Sequence, residues 1–241
     1  MKYCIHLYLL LFSISVLAQT DYKIEYEHSK ILYWGENLTE RQKLTIEQYK
    51  KPTFFSLSIV DSTSLYKEID KISNEQTDVH VVMKTIGGFD QKAIFQDIEK
   101  NIQVSELIMD NKRYLVSGSP IDYQWTILEE EKEILGYKVK KAVSSDKNYE
   151  IEAWFAPELD FSFGPNGYSG LPGVILELKQ IIKVNPNSYN LFYATNIEET
   201  SELNIEKPTK GKKVNQKEFE ELVNLQEQKI KEMFGNGVDK D

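Results

Sequence analysis

The sequence predicts a mainly β (α+β) protein in which an antiparallel meander sheet is followed by a C-terminal amphipathic helix. Three observations favour this class. Short runs of apolar and aromatic residues recur with a period of two, as expected of strands with one buried face. Turn-forming residues separate these runs at short intervals, which is typical of hairpins and not of βαβ units. The last apolar stripe has helical spacing instead.

The first strand is predicted at Tyr22–Glu27, where aromatic or apolar residues alternate with charged ones. Leu38–Lys50 has a weak helical pattern with few apolar residues. Further strands are predicted from apolar runs at Thr53–Val60, Val79–Ile86, Val104–Met109, Lys112–Val116, Tyr123–Leu128, Tyr137–Val143, Tyr149–Phe155, Val174–Ile182 and Tyr189–Ile197. Hairpin turns are predicted at Asp110-Asn111, Ser144–Asn148 and Asn185-Pro186-Asn187.

The final helix is predicted from an apolar stripe among charged residues. The stripe contains Phe219, Leu222, Val223, Ile230, Met233 and Phe234. Asn215 with Glu218 three positions later forms a capping-box pattern, and Gly235 is suited to end the helix. An apolar stripe of this kind requires a partner surface, so we expect the helix to pack on the sheet.

The first eighteen residues have the three parts of a secretory signal: Lys2, the short apolar run Tyr3–Leu17 and a small residue, Ala18, at the exit. The run is too short for a membrane span, which needs about 20 residues. Cys4 is the only cysteine and lies inside this segment. We therefore expect export to the periplasm or the medium, with no transmembrane anchor after cleavage and no lipoprotein cysteine.

Removal of residues 1–18 deletes only the charge of Lys2, so the formal net charge changes from −9 to −10. An acidic chain without a basic block repels phosphate backbones, which argues against a nucleic-acid partner. No Pro/Gly/Ser-rich linker precedes residue 200. We therefore predict a signal peptide (1–18), one β-rich domain (19–200), and a C-terminal linker and helix (201–241) packed on the sheet.

One block, Phe161–Leu178, is unusually rich in glycine and proline and leads directly into an apolar strand. Glycine permits positive φ and close backbone approach, whereas proline fixes φ. The block therefore specifies one loop shape. It is not a phosphate-binding loop, because no Gly-Lys-Ser/Thr ending follows. No cofactor is predicted.

The motif Gly170-Leu171-Pro172-Gly173-Val174-Ile175 resembles the signature of the GLPGLI family of exported bacterial proteins. The similarity extends to Trp125 with Ile134–Ala142, to Ala153-Trp154-Phe155 and to Gly164-Pro165. Many members carry a cysteine where this chain has Val139, so no role of that cysteine transfers. The resemblance implies an exported envelope protein without an agreed catalytic site. By analogy it also implies a curved, open half-barrel with a helix over its concave side.

Most common catalytic constellations are absent from the sequence. His28 and His80 are the only histidines after residue 18, and no HExxH-type spacing accompanies them, so no metal site is predicted. Ser169 lacks the Gly-x-Ser-x-Gly context of a nucleophile elbow. Glu177 follows an apolar run, and the period of two favours an outward orientation over a carboxylate aimed into a cavity. No catalytic residue is predicted.

The leading hypothesis is a non-enzymatic envelope protein that binds an apolar ligand or another envelope protein, with the Gly164–Gly173 loop at the rim of an apolar pocket. The candidate binding residues are Trp125, Trp154, Phe163, Gly164, Pro165, Tyr168, Gly170, Leu171, Pro172, Gly173 and Glu177. Large aromatic residues also fill cores, which is the structural alternative for this set. Two other functions stay open: a carboxylate-based hydrolase acting on envelope material, and a purely structural or assembly protein.

Overall fold

The computed structural model describes residues 20–49, 51–69, 90–201 and 203–235. Residues 1–18, the predicted strand Val79–Ile86 and His80 lie outside this part of the chain. The strands are β1 (Asp21–Ile31), β2 (Thr53–Val60), β3 (Thr63–Ile69), β4 (Asp90–Asp97), β5 (Ile102–Met109), β6 (Lys112–Gly118), β7 (Thr126–Ile134), β8 (Tyr137–Ser145), β9 (Tyr149–Ala156), β10 (Val174–Ile182), β11 (Tyr189–Thr200) and β12 (Lys212–Asn215). The helices are α1 (Glu40–Tyr49) and α2 (Gln216–Gly235). Neither of these helices is long and apolar enough to cross a membrane.

The strands of the described chain form one sheet in the order β12-β6-β5-β4-β3-β2-β1-β11-β10-β9-β8-β7. The order contains two meanders, β1–β6 and β7–β11, which are joined where β1 pairs with β11. Neighbouring strands are antiparallel except β12, which pairs parallel with β6. The sheet is open, with β12 and β7 at its edges. The predicted mainly β, antiparallel class with a C-terminal helix is confirmed.

The predicted hairpins form at their turn residues. Asp110 (φ 50°) and Asn111 (φ 61°) both adopt the left-handed region between β5 and β6, as a type I′ turn requires. Ser144–Asn148 contains the turn between β8 and β9, and Asn185-Pro186-Asn187 lies between β10 and β11. Several strand ends differ from their predictions by a few residues, and β3 and β4 form where no strand was predicted. At β7 the strand begins at Thr126 and not at Tyr123. The side chain of Tyr123 stacks on Tyr168 instead.

The C-terminal helix has the predicted cap and packs on the sheet. Asn215 Oδ1 accepts a hydrogen bond from the Glu218 backbone N–H at 2.9 Å, and Glu218 Oε2 accepts one from the Asn215 N–H at 2.9 Å. Phe219 is buried and its ring lies edge-on to Tyr114 of β6, with centroids 5.7 Å apart. Together with Val214 of β12, these residues form a separate apolar cluster at this end of the sheet.

Residues 157–173, between β9 and β10, form an interior segment packed against the sheet. Leu159, Phe163, Tyr168 and Leu171 are buried, and a short 3₁₀ turn occupies Pro165–Gly167. Val174 N–H binds the Leu159 carbonyl at 3.1 Å, which holds the two ends of the segment together. The Gly/Pro-rich block thus fills part of the core.

The sheet curves around this interior segment. Gly167 and Tyr168 have Cα atoms about 3.8 Å apart because they are adjacent in the chain. The Gly167 carbonyl accepts from Gln96 of β4 at 2.9 Å, whereas the Tyr168 hydroxyl accepts from Gln180 of β10 at 2.5 Å. β4 and β10 are five steps apart in the strand order, or about 24 Å in a flat sheet at about 4.8 Å per step. The interior segment therefore bridges β4 and β10, and residues of both strands border one cavity beside it.

Candidate functional site

A cleft of about 460 Å³ opens where the curved sheet and the interior segment meet. Its walls come from β4 and β5 on one side, from β8–β10 on the other and from the stretch before β7. The lining residues are Gln91, Ile94, Gln103, Ser105, Ile121, Asp122, Tyr123, Gln124, Ser144, Ser145, Asp146, Tyr149, Asn166, Gly167, Tyr168 and Gln180. Its volume falls in the range of small-molecule sites, about 300–1,000 Å³.

Three tyrosines form the aromatic part of the wall. The rings of Tyr123 and Tyr168 are stacked with centroids 4.3 Å apart, and Tyr149 lines the same cleft. Burial raises the pKa of Tyr168 above its ordinary value of 10.0, and burial is also the main cause of the raised pKa of Tyr123 and of Tyr149. All three phenols are therefore protonated at neutral pH and offer neutral hydroxyl groups.

Amide side chains hold the interior segment against β4 and β5. Gln96 is buried, and its Nε2 donates to the Gly167 carbonyl at 2.9 Å and to Gln103 Oε1 at 3.0 Å. Gln103 Nε2 in turn donates to Ser105 Oγ at 3.4 Å. A Cβ on Gly167 would lie 3.1 Å from Ile94 Cδ1, so the close approach favours glycine at this position.

A second series of hydrogen-bonded polar side chains extends from the opposite wall of the cleft into the sheet. Gln180 Nε2 donates to the Tyr168 hydroxyl at 2.5 Å, and Asn190 Nδ2 donates to Gln180 Oε1 at 3.3 Å. Asn190 Oδ1 lies 3.4 Å from His28 Nε2, and His28 Nδ1 lies 3.1 Å from the Thr53 hydroxyl. This chain runs along residues of β10, β11, β1 and β2 and ends at Tyr168 in the cleft.

The charged groups in the described lining are the carboxylates Asp122 and Asp146. Asp146 Oδ1 accepts from the Asn148 N–H at 2.7 Å and from the Tyr149 N–H at 2.8 Å, so it shapes the β8–β9 turn. Asp122 accepts from the backbone and side chain of Gln124. No lysine or arginine is among the lining residues in the described part of the chain. In the described lining, an anionic ligand would therefore meet two carboxylates.

The candidate residues of the glycine-rich block have different positions relative to the cleft. Tyr168 lines it. Phe163 (0 % exposed) and Leu171 (1 % exposed) are in the core, where Gly164, Pro165 and Gly173 are also buried. Gly170 and Pro172 are exposed away from the lining. Most of the block fills the core, whereas Asn166, Gly167 and Tyr168 of the same block line the cleft.

Trp125 does not line the cleft but contacts residues of its wall. Its Nε1–H donates to the Ser169 carbonyl at 2.9 Å, and its ring lies beside Tyr123 and Tyr168 at centroid distances of 5.6 Å and 6.3 Å. Gly170 passes close to this ring, since a Cβ there would lie 3.8 Å from Trp125 Cδ1. Trp125 therefore positions the segment that carries Tyr168.

Trp154 and Glu177 are paired neighbours on β9 and β10, outside the cleft. Lys132 connects them: its Nζ lies 2.6 Å from Glu177 Oε2 and 4.3 Å from the centre of the Trp154 ring. Lys141 approaches the same ring at 5.9 Å. These contacts are an ion pair and cation–π interactions that join β7, β8, β9 and β10.

Most of the cleft was missed by sequence reasoning, because its residues come from distant segments. One signal was present for Gln180: it shares the face of Leu178 by the period of two, so a polar residue stands at a core position of an apolar strand. Gln103, Tyr123 and Tyr149 have no such local signal.

A second depression, of about 530 Å³, is lined by Tyr33, Trp34, Gly35, Gln42 and Asn185. Tyr33 and Trp34 are 44 % and 43 % exposed, so this is a shallow surface. It lacks the buried polar groups that converge on the cleft, and the cleft is therefore the better candidate.

The model of a family described as "Protein of unknown function (Porph_ging)" matches residues 143–177, which include the Gly-Leu-Pro-Gly block and four residues of β10. A search of curated proteins gave no match.

Among solved structures, two crystal forms of PNGF-II are similar to 86 % of this chain. The TM-scores are 0.54 and 0.55, with 18 % and 17 % sequence identity. The match covers 34 % and 33 % of PNGF-II, so the chain spans about a third of that protein. At this identity the likeness shows a shared fold. The LolA superfamily protein NE2245 from Nitrosomonas europaea also matches, with a TM-score of 0.31 and 6 % identity over 75 % of this chain and 86 % of that one.

Proposed function

We propose that this chain is an exported, non-enzymatic binding protein that holds a small molecule in the cleft beside Tyr168. The observation that carries the proposal is the cleft itself. Its volume of about 460 Å³ suits a small molecule, and tyrosines and buried hydrogen-bonding groups converge on it. The export part rests on the signal-like residues 1–18.

The lining favours an uncharged ligand that contains hydrogen-bonding groups. A purely apolar ligand would offer no hydrogen-bond partner to the buried Ser105 hydroxyl and Gln180 amide, and it would exclude the water that could otherwise bind them. Leaving a buried polar group unpaired costs about 1–3 kcal/mol. The tyrosine rings and two isoleucines supply the apolar area that such a ligand also needs.

The geometry gives no support to a reaction at Glu177. That carboxylate is paired with Lys132, beside Trp154, and lies outside the cleft. If Glu177→Gln abolished binding or any activity of the protein, the non-catalytic assignment would need to be revised.

The test is native mass spectrometry of the full chain purified from its exported location, before and after mild denaturation. A bound molecule would appear as extra mass that is released on unfolding. Ser145 lines the cleft and is exposed, so Ser145→Trp should fill the cleft and remove the extra mass. Ser201 is exposed and outside the cleft, and Ser201→Trp should retain the extra mass. Equal retention in both variants would refute binding in this cleft.

A further inference from the structure

The hydrogen-bond directions at Tyr168 make its hydroxyl a donor toward the cleft. A phenol has one proton to donate and also accepts hydrogen bonds. The oxygen of Tyr168 already accepts from Gln180 Nε2 at 2.5 Å. Among the described residues no acceptor takes the proton of Tyr168, and the residue lines the cleft. The proton is therefore available to a ligand.

The orientation of the Gln180 side-chain amide is determined by the hydrogen bonds that link it to Asn190 and His28. Gln180 Oε1 accepts from Asn190 Nδ2, so Asn190 Oδ1 must face His28 Nε2. A carbonyl oxygen only accepts, which places the histidine proton on Nε2, so Nδ1 can accept from the Thr53 hydroxyl, whose oxygen also lies 3.5 Å from the His28 carbonyl oxygen. The neutral imidazole that this requires agrees with the burial-lowered pKa of His28. The directions from His28 through Asn190 and Gln180 to Tyr168 agree with one another.

Ser105 on the opposite wall is arranged in the same way. Gln96 Nε2 donates to Gln103 Oε1, so Gln103 Nε2 points at Ser105 Oγ at 3.4 Å. Gln96 is held by its second bond, to the Gly167 carbonyl. Because Ser105 Oγ accepts from Gln103 and Ser105 lines the cleft, its own proton is available to a ligand. Two neutral donors, held by separate amide chains, therefore line the cleft from opposite sides.

We propose that the cleft binds a short neutral saccharide, with Tyr168 and Ser105 donating hydrogen bonds to its oxygen atoms and Asp122 and Asp146 accepting from its hydroxyl groups. This deepens the proposed binding function and rests on it. A saccharide offers both acceptors and donors around its rim, and its C–H faces pack on tyrosine rings such as Tyr149. The two carboxylates and the absence of lysine and arginine from the described lining disfavour anionic ligands.

The ligand class is tested by saturation-transfer NMR on the full mature chain. The probes are maltotriose, cellotriose and chitotriose, with trigalacturonate as the anionic comparator and 1-octanol as the apolar one. We expect saturation transfer to at least one neutral trisaccharide and none to trigalacturonate. If only 1-octanol receives saturation, the saccharide proposal is wrong and the binding function stands with an apolar ligand.

The donor role is tested with the trisaccharide that binds. Tyr168→Phe should weaken binding about tenfold, the usual size of one hydrogen bond. Tyr193 is exposed on β11 outside the cleft, so Tyr193→Phe is the matched control and should bind as wild type. Unchanged affinity in Tyr168→Phe would overturn the assignment of this donor.

The positioning role of Gln180 is tested by the pH dependence of ligand affinity. In Gln180→Glu an ionised carboxylate accepts the Tyr168 proton and withdraws it from the ligand, so affinity at pH 7.5 should fall about as far as in Tyr168→Phe. Acidification protonates the introduced carboxyl, lets it donate to the tyrosine oxygen and should restore affinity. Wild-type protein titrated over the same range controls for His28, Asp122 and Asp146. A loss that does not change with pH would make Gln180 a structural residue only.

Different results would contradict the binding function and the saccharide class of the ligand. If native mass spectrometry finds a released molecule but no trisaccharide binds, the saccharide class is wrong and the binding function stands. If no mass is released and none of the five probes binds, both proposals are wrong.

Discussion

Replacement of Gly173 by alanine should be among the most damaging single substitutions in this chain. A Cβ at this position would lie 2.3 Å from the Ala156 carbonyl oxygen, 2.6 Å from its carbonyl carbon and 2.9 Å from Pro157 Cα. All three atoms belong to the backbone, so no side-chain rotation relieves the overlap. The φ of 147° is also one that residues with a Cβ rarely adopt.

The costs of the steric overlap and of the positive φ can be separated by comparing Gly173 with Gly170 in the same Gly-Leu-Pro-Gly motif. Overpacking costs about 1–3 kcal/mol, and a strained backbone conformation costs about 1–3 kcal/mol more. Gly173→Ala should therefore lower the free energy of unfolding by about 4 kcal/mol. Gly170 also has positive φ, 93°, but a Cβ there would make only an ordinary contact, 3.8 Å, with Trp125. Gly170→Ala carries the backbone cost alone, about 1 kcal/mol.

Urea unfolding followed by tryptophan fluorescence measures both variants against wild type. With a total stability of about 5–15 kcal/mol for typical domains, the Gly170 variant should stay folded and the Gly173 variant should be marginal. The yield of soluble Gly173→Ala at low temperature provides a second measurement if its transition cannot be fitted. Equal losses for the two substitutions would refute the packing argument, because they share the backbone cost and differ in the overlap.

Three further predictions concern other parts of the chain. Burial lowers the pKa of His28 in the folded protein, so the unfolded chain binds that proton more tightly. The free energy of unfolding should then decline as pH falls below about 6.5, by at most about 1.4 kcal/mol per pH unit, and His28→Gln should remove this pH dependence. If urea unfolding gave the same pH dependence for wild type and His28→Gln, the prediction would be contradicted. Lys132→Met should cost about 1 kcal/mol because it loses the contacts with Glu177 and Trp154. A double-mutant cycle with Glu177→Gln should show coupling, and simple additivity would exclude a stabilising ion pair. The intact mass of the exported protein should correspond to a chain without residues 1–18, and a mass that includes them would contradict cleavage.

The features that the sequence predicted well depend on neighbouring residues. The Asp110-Asn111 turn and the Asn215–Glu218 cap each involve contacts within a few positions, so residue type and spacing are enough. The boundary of β7 was missed because Tyr123 stacks on Tyr168, a contact between segments 45 positions apart. Short-range patterns contain no information on such a contact.

The candidate site was less predictable than the fold for the same reason. Tyr168 was singled out from the glycine-rich block, and it does line the cleft. Its partner Gln180 and the donor Ser105 come from strands that meet only because the sheet curves. Trp154 was grouped with Tyr168 because both are aromatic, but its ring contacts Lys132 outside the cleft. Residue type alone did not separate these two environments.

The pairing of β1 with β11 has a consequence for how the chain folds. Every other antiparallel pair joins strands that are consecutive in the sequence, so each can form soon after its two strands become available. The β1–β11 seam pairs Asp21 with Thr200, and its formation closes a loop that contains nearly the whole sheet. Non-local pairing of this kind slows folding. We expect two early-forming meanders whose late docking limits the folding rate, so that an exported chain would complete its sheet only after residue 200 has crossed the membrane.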